Sequence, residues 1–224
     1  MLLPIPRVLK PDELTLVRDW LADAHFVEGR LSAGAAARRV KNNQEVEGDT
    51  ADAARISRVV MGGLVRHPVY RAGAMPLHAA SPLYARYRSG MAYGDHLDDP
   101  VMGADGIKYR SDIAVTIFLS GPQEYDGGEL VIRSPAGDQE VKLPAGDAVL
   151  YPAGSIHHVN PVTRGERLVA LTWVQSLIRD CGQRELLYGL NGARETLLQR
   201  APDAAETAQV NAAYLNLIRM WSDL

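Results

Sequence analysis

The spacing of apolar residues in the first third of the chain predicts two helices. Residues 11–26 carry apolar side chains at helical intervals behind acidic N-terminal residues, and these side chains are Leu14, Val17, Leu21 and Ala24. A second helix is expected over residues 51–67, with Thr50 as its cap and Pro68 just beyond its end. Residues 37–50, between the two helices, are polar and are predicted to form a loop or an edge strand.

The pattern changes between residue 78 and residue 176. Short apolar runs alternate with Gly, Pro, Asp and Asn, in the order DIAVTIFLS, GGELVIR, QEVKL, DAVLYP and ERLVALTWVQ. Short strands at regular intervals, without helices between them, are typical of a β-sandwich or barrel. A helical pattern returns in SLIRDCGQRELLYGL and again over residues 201–224, where Pro202 and Asp203 indicate a helix start.

This organisation predicts three parts of the chain. N-terminal helices and strands (residues 1–77) are expected to pack on a mostly β core (78–177), which a C-terminal helical extension (178–224) follows. The final helix is too apolar to stand free, because helices gain most of their stability by packing, and its apolar residues are Leu215, Ile218 and Trp221. We expect this helix to dock on the barrel or across a subunit interface, and the second arrangement would make a homo-oligomer.

Composition narrows the class of protein. The chain has 224 residues and a formal net charge of -3, which gives no general attraction to nucleic acid or acidic lipid. Its one cysteine, Cys181, excludes an internal disulfide framework and suits a reducing cytosol. The start MLLPIPRVLK is not a convincing signal peptide, and no apolar run approaches the ~18 residues of a membrane span. We expect a cytoplasmic protein without a nucleic-acid or membrane partner.

The segment MAYGDHLDDP (residues 91–100) places two metal-binding side chains two residues apart. On an extended strand, His96 and Asp98 point to the same face. A third ligand is available in YPAGSIHHVNPV, where His157 and His158 follow a predicted strand. In a jelly roll, a late strand can return beside an early one. Two histidines and one carboxylate would then form the facial triad that holds iron in non-haem iron oxygenases.

Arg167 lies ten residues after His157, in PVTRGERLVALTW. An arginine inside a small barrel needs an anion, because an unpaired buried charge is strongly penalised. A 2-oxoglutarate co-substrate would provide one, since its keto-acid end chelates iron and its distal carboxylate can take a bidentate guanidinium contact. The charges of iron(II), Asp98, the dianion and Arg167 would then cancel. The alternative is a surface arginine paired with Glu166 or Glu129.

The sequence resembles the PKHD-type hydroxylases of the PiuC type, which are bacterial prolyl/lysyl-hydroxylase-like enzymes. The resemblance rests on YGDHLDD, RSDIAVTIFLSGPQEYDGGELVI and VKLPAGDAVLYPAGSIHHVNPVTRGERLVALTWVQSLIRD, which occur in this order. It covers most of the chain and is strongest over residues 78–180. It implies a double-stranded β-helix (jelly-roll) fold and a dioxygenase that uses iron(II), 2-oxoglutarate and O₂, with L-ascorbate as a reducing helper. Such an enzyme would hydroxylate an unactivated C–H bond of a small molecule or peptide and release succinate and CO₂. The PiuC type also suggests a link to iron uptake.

The resemblance also implies roles for individual residues. By motif, the iron ligands are His96, Asp98 and His157, and the 2-oxoglutarate contact is Arg167. Tyr87 is expected either to donate its hydroxyl to the co-substrate, as a similarly placed tyrosine does in related prolyl hydroxylases, or to be an ordinary amphipathic residue of the barrel.

His158 departs from the family pattern and competes with His157 as a ligand. Neighbouring residues on a strand point to opposite faces, so only one of the two can join the triad. The ten-residue spacing to Arg167 favours His157. Trp173 lies six residues beyond Arg167 and is expected on the same inward face, where it either packs in the core or lines a substrate pocket.

Two other functions fit the same residues. A cupin-like metal enzyme would not use 2-oxoglutarate, and Arg167 at its spacing argues against this interpretation. A non-catalytic iron- or 2-oxoglutarate-binding sensor, whose helical tail contacts a partner, is compatible with an intact triad. Succinate formation distinguishes an enzyme from a sensor.

Overall fold

The computed structural model describes residues 1–47, 51–103 and 108–224, with Ala51 described by its backbone alone. The α-helices are Pro11–Asp23 (α1), Ala51–Arg66 (α2), Pro68–Ala74 (α3), Cys181–Arg200 (α4) and Ala205–Trp221 (α5), with short 3₁₀ helices at Gly29–Ser32 and Ala37–Arg39. The first strands are Leu3–Ile5 (β1), Phe26–Glu28 (β2), Lys41–Asn42 (β3), Gln44–Val46 (β4), Pro76–Ala79 (β5), Leu83–Arg88 (β6), Ala92–His96 (β7) and Val101–Met102 (β8). The remaining strands are Tyr109–Arg110 (β9), Ile113–Phe118 (β10), Tyr125–Gly127 (β11), Leu130–Ile132 (β12), Gln139–Val141 (β13), Ala148–Pro152 (β14), His157–Val159 (β15) and Val162–Ser176 (β16).

Two antiparallel sheets form the centre of the molecule. The larger sheet has the order β1-β14-β10-β16-β6-β4-β2, and β5 and β11 also pair with β16. The smaller sheet has the order β13-β12-β15-β7-β3, and β8 pairs with β9. This confirms the predicted fold class, a jelly-roll β core with N-terminal helices and a C-terminal helical extension.

The larger sheet is buried on both faces. One face packs against α1, α2 and α3 in a core that includes Val17, Leu21, Ile56, Val60, Leu64, Ile113, Val115, Ile117, Ala148 and Leu150. The other face packs toward the smaller sheet in a core that includes Ala114, Phe118, Leu130, Ile132, Val149, Tyr151, Val159 and Val169. Strands with two buried faces read as continuous apolar runs rather than alternating ones. The candidate site lies on the inner face.

Helix α1 begins where the sequence pattern predicts. The Glu13 carboxylate accepts a hydrogen bond from the backbone N–H of Lys10 at 2.9 Å, which satisfies one donor ahead of the first turn. The helix ends at Asp23 rather than at residue 26. Phe26 instead begins β2, where its buried ring lies under the guanidinium of Arg86 at 3.9 Å.

Helix α2 ends at Arg66, one residue earlier than expected, and the predicted cap Thr50 lies outside the described residues. Pro68 begins a further helix, α3, which the sequence pattern does not predict. His67 is its N-cap, and the Nδ1 atom accepts a hydrogen bond from the Val69 backbone N–H at 3.3 Å.

The polar segment 37–50 forms two strands within its described part. β3 is an edge strand of the smaller sheet, as expected, whereas β4 lies inside the larger sheet between β6 and β2. The chain therefore crosses from one sheet to the other at Asn43.

The C-terminal helices begin later than predicted. The helix expected from Ser176 begins at Cys181, where the Asp180 side chain caps it, because Ser176 still belongs to β16. Helix α5 begins at Ala205 rather than at Pro202. None of the helices in the described residues is long and apolar enough to cross a membrane.

The α4–α5 hairpin docks on the barrel of its own chain, which is one of the two arrangements expected. A separate apolar cluster joins it to the core through Met75, Ile178, Leu187 and Tyr214. The Arg110 guanidinium lies 2.8 Å from the Asp223 carboxylate and ties the chain end to the β region.

Candidate functional site

Antiparallel pairing of β7 and β15 brings two histidines together. His96 and His157 face each other across the two strands, and their ring centroids are 4.2 Å apart. Asp98 follows β7, and its Oδ1 lies 3.8 Å from His157 Nε2. One ligand atom from each of the three residues lies within 4.8 Å of the other two. The structure therefore collects the three predicted iron ligands at one point between the sheets.

Backbone carbonyls fix the orientation of both imidazole rings. His96 Nδ1 lies 2.8 Å from the carbonyl oxygen of Gly94, and His157 Nδ1 lies 2.9 Å from that of Ser155. Because a carbonyl oxygen can only accept, each Nδ1 carries the proton and each Nε2 keeps its lone pair for a metal. Partners of this kind are expected for metal-binding histidines. The sequence analysis assigned no such partner, and in both histidines it is the carbonyl two residues earlier.

Burial shifts the pKa values of His96 and Asp98. Desolvation, with a further contribution from His157, lowers the pKa of His96 to about 4, so this imidazole is neutral near pH 7. Burial also raises the pKa of the Asp98 carboxyl. Asp98 Oδ2 is buried and has no hydrogen-bond partner in the described part of the chain. The neutral His96 imidazole, the neighbouring His157 ring and a carboxylate oxygen without a partner fit a divalent transition metal such as iron(II).

Arg167 lies on the inner face of β16, directly opposite Tyr87 of β6. Its side chain is 2% exposed, and the guanidinium carbon lies 5.0 Å from the Tyr87 ring centroid and 5.7 Å from that of Phe118. Its Nε has no hydrogen-bond partner among the described residues. Tyr125 is close enough to interact with the guanidinium but supplies no negative charge, so Arg167 is a buried cation available for an anionic ligand.

The two alternative partners of Arg167 are engaged elsewhere. Glu166 forms an ion pair with Arg88 at 2.7 Å, and Glu129 lies 3.5 Å from the ammonium of Lys142. The surface interpretation of Arg167 is therefore wrong.

The hydroxyl of Tyr87 is available as a donor. Asn43 Nδ2 donates to the Tyr87 oxygen at 3.1 Å, which leaves the O–H proton free to point elsewhere. Burial raises the pKa of Tyr87 to about 12, so the hydroxyl keeps its proton near neutral pH.

One cavity of about 390 Å³ contains these groups. Its lining includes the three candidate ligands, Arg167 and Tyr87, and also Trp173, which the sequence placed on the inward face of the same strand. The Trp173 indole nitrogen is buried within reach of the Asp98 carboxylate. Trp173 therefore lines the pocket as well as packing against the inner core.

Tyr151 is a cavity residue that the sequence analysis missed. It packs edge-on against His157, with ring centroids 5.2 Å apart, and it is within electrostatic reach of both Asp98 and Arg167. Burial raises its pKa, so the hydroxyl stays protonated. The sequence of its strand, AVLYP, predicts a strand but not which residues face inward. Its residues do not alternate between polar and apolar, so no face can be distinguished.

A buried ion pair from the N-terminal segment also lines the cavity and was missed. Lys41 Nζ lies 2.5 Å from Glu45 Oε1, and both side chains are more than nine-tenths buried. The pair comes from residues 37–50, which the sequence pattern assigns to a polar loop or edge strand. Charged residues in a polar segment carry no signal that distinguishes burial from solvent exposure.

His158 points away from the three candidate ligands. Its Nδ1 lies 2.9 Å from Asp95 Oδ1, and its Nε2 lies 3.1 Å from Asn160 Oδ1. Its neighbour His157 is 4% exposed and faces the cavity. The alternation expected along β15 is therefore present.

Comparisons with known proteins identify the family. The family model described as 2OG-Fe(II) oxygenase superfamily matches residues 82–175, and the model described as PKHD-type hydroxylase C-terminal domain matches residues 182–223. A PKHD-type hydroxylase from Thioalkalivibrio sulfidiphilus is 48% identical over 224 residues, which covers 100% of both chains. The chain belongs to the PKHD-type hydroxylases. A PKHD-type hydroxylase from Burkholderia ambifaria is 43% identical over 226 residues and also covers 100% of both chains.

Solved structures support the fold of this PKHD-type hydroxylase. A Trichoplax adhaerens prolyl hydroxylase in complex with a hypoxia inducible factor peptide has a TM-score of 0.56 and 18% identity, covering 83% of this chain and 86% of that one. Family membership makes the protein a 2OG-Fe(II) oxygenase, an enzyme whose cofactor and co-substrate are Fe(2+) and 2-oxoglutarate. The predicted family and enzyme class are thereby confirmed.

Proposed function

We propose that this PKHD-type hydroxylase inserts one oxygen atom into an unactivated C–H bond of a small-molecule or peptide substrate. The observation that carries the proposal is that His96, Asp98, His157 and Arg167 line one cavity. Iron(II) and 2-oxoglutarate, when bound, supply the oxidising chemistry: O₂ is consumed, 2-oxoglutarate becomes succinate and CO₂, and one oxygen atom enters the substrate.

The proposed metal ligands are His96 Nε2, His157 Nε2 and the Asp98 carboxylate. The Nδ1 contacts of His96 and His157 hold the two imidazole rings in place before a metal binds. Little side-chain entropy is therefore lost when the metal binds. Three ligands on one side leave the remaining coordination positions open to exchangeable groups.

The proposed 2-oxoglutarate contacts are on β6 and β16. Arg167 would pair with the distal carboxylate, and its cation is screened from water by the rings of Tyr87 and Phe118. Tyr87 would donate its free O–H to the co-substrate, as the sequence analysis proposes. Tyr151, which also lines the cavity, would be a further contact for the co-substrate.

Three finer parts of the hypothesis concern the setting of the reaction. We propose L-ascorbate as the reductant that keeps iron in the divalent state, and a cytoplasmic location, which the single cysteine favours. A link to iron uptake remains part of the proposal and follows from the resemblance to the PiuC type.

A metabolite comparison tests the proposed reaction. Cell extract would be incubated with the protein, iron(II), 2-oxoglutarate and ¹⁸O₂, and mass spectrometry would search for products that gain one labelled oxygen atom together with succinate. We expect such a product with the wild-type protein and with Asp95→Asn, a matched carboxylate that pairs with Arg133 outside the cavity. Asp98→Ala should yield neither product nor succinate. Metal and 2-oxoglutarate binding without any turnover would instead support the sensor alternative.

A further inference from the structure

A closed triangle of polar groups forms one wall of the cavity. Lys41 Nζ contacts Glu45 Oε1 at 2.5 Å and donates to Ser32 Oγ at 2.9 Å, while Ser32 Oγ donates to Glu45 Oε2 at 2.6 Å. All three residues line the same cavity as the candidate metal ligands. The Lys41 and Glu45 side chains are 8% and 7% exposed.

The crossing between the sheets places this triangle. Lys41 lies on β3 and faces Tyr93 of the smaller sheet, whereas Glu45 lies on β4 and faces Ala85 of the larger sheet. The two charges therefore meet where the chain crosses at Asn43, which also lines the cavity.

Two ring contacts bring the triangle close to the metal ligands. Lys41 Nζ lies 5.3 Å from the centroid of the Tyr93 ring, and that ring stacks on His96 with centroids 3.5 Å apart and planes 10° apart. A small molecule that contacts Lys41 at one end could therefore reach the candidate metal site with its other end.

The triangle has hydrogen-bonding capacity to spare. Within the described residues, hydrogen bonds and ion pairs occupy two of the three N–H donors of Lys41, and each Glu45 oxygen keeps a lone pair. A group that carries both an ammonium and a carboxylate could pair edge-on with both charges. Such a ligand keeps the net charge of the wall at zero, which a ligand with a single charge would not.

Resting on the proposed function, we infer that Lys41, Glu45 and Ser32 form the substrate-recognition site, and that the substrate is a small α-amino acid. Its carboxylate pairs with Lys41, its ammonium pairs with Glu45, and its side chain extends toward the metal ligands. The cavity, at about 390 Å³, must also hold 2-oxoglutarate, so it suits a small molecule that enters whole.

Calorimetry tests this inference without turnover. The common L-amino acids, each with its N-acetyl and its carboxamide derivative, would be titrated into protein loaded with manganese(II) and 2-oxoglutarate. We expect at least one free amino acid to bind, and both of its capped derivatives to bind at least about tenfold more weakly, because each loses a charge-assisted contact.

Variants separate recognition from folding. Glu45→Gln should lower the affinity for the free amino acid at least about tenfold but leave the affinity for its N-acetyl derivative unchanged. Lys41→Met/Glu45→Met replaces the whole ion pair with apolar side chains of similar length, a change that often preserves stability. This variant should keep its affinity for manganese(II) and 2-oxoglutarate but lose amino-acid binding. The matched control is Arg66→Met/Glu13→Met, an ion pair between α1 and α2, which should leave amino-acid binding unchanged.

The outcomes distinguish this inference from the proposed function. If the wild-type protein fails to bind manganese(II) and 2-oxoglutarate, the proposed function is wrong. If it binds both but takes up no free amino acid, or binds capped derivatives equally well, the recognition role is wrong. Unchanged amino-acid affinity in the Lys41→Met/Glu45→Met variant would also overturn it.

Discussion

At the scale of single residues, the candidate site depends on a few buried polar groups with unused hydrogen-bonding capacity. Asp98 Oδ2 and Arg167 Nε both lie inside the protein without a partner in the described part of the chain. Such atoms destabilise a fold unless a ligand satisfies them. The site is therefore expected to gain stability when metal and co-substrate bind.

Replacing Arg167 should separate co-substrate binding from metal binding. Arg167→Ala is expected to leave iron affinity near normal. It should weaken the binding free energy of 2-oxoglutarate by on the order of 3–5 kcal/mol, because one partner of a buried charge pair is removed. Arg167→Lys should restore only part of this loss, since a point charge cannot reproduce the planar guanidinium contact. Calorimetric titration measures both affinities, and unchanged 2-oxoglutarate affinity in Arg167→Ala would refute the assignment.

The adjacent histidines of β15 should behave oppositely. His157→Ala is expected to abolish both bound iron and succinate production, because His157 faces His96 across the ladder. His158→Ala should retain metal and most turnover, because that side chain contacts Asp95 and Asn160 instead. Metal analysis and a succinate assay check this pair, and the reverse result would move the ligand to His158.

At the scale of elements, the glycine turn that connects β11 in the larger sheet to β12 in the smaller sheet supports the co-substrate site. Gly128 has a φ of +66°, and a Cβ added there would lie 3.1 Å from Arg167 Cδ and 2.9 Å from Val162 Cγ2. A side chain at this position would therefore press on the stem of the arginine, besides straining the backbone.

Gly128→Ala should weaken 2-oxoglutarate binding more than metal binding. The displaced Arg167 loses its alignment with the co-substrate, whereas His96, Asp98 and His157 lie on other segments. Gly137→Ala is a control for backbone strain, because its φ of +114° is also one that L side chains rarely adopt, while a Cβ there meets nothing within 4 Å. Equal losses of 2-oxoglutarate affinity in both variants would show that backbone strain alone is responsible.

Elements also determine what the sequence could predict. The candidate metal ligands and Arg167 were identifiable because their motifs occur in the order that the resemblance implies and because strand alternation selects the inward residue of each strand. Tyr151 was not, because both faces of β14 are buried and its alternation carries no polarity signal. Lys41 and Glu45 were missed for a different reason: their burial depends on β3 and β4 joining two different sheets. Local sequence does not encode a pairing between distant strands.

At the scale of the whole molecule, the C-terminal α4–α5 hairpin packs on the barrel of its own chain through a separate apolar cluster. Tyr214 of α5 packs with Ile178 and Leu187, and a backbone bridge joins Ile178 to Ser222. Removing α5 would uncover these apolar side chains.

A truncation after Arg200 should lower the melting temperature by at least about 4 °C, since it exposes several apolar side chains worth about 1.5–3 kcal/mol each. Thermal unfolding monitored by circular dichroism measures the change, and Met220→Ala is a control because that side chain is 73% exposed. A truncated protein with the wild-type melting temperature and oligomeric state would contradict the structural role of α5.

The most direct test of the account is anomalous diffraction from crystals grown with manganese(II) and 2-oxoglutarate without O₂. We predict one metal peak within bonding distance of His96 Nε2, His157 Nε2 and the Asp98 carboxylate, with the distal carboxylate of 2-oxoglutarate against Arg167. A metal bound by His158, or a co-substrate that does not contact Arg167, would contradict the account.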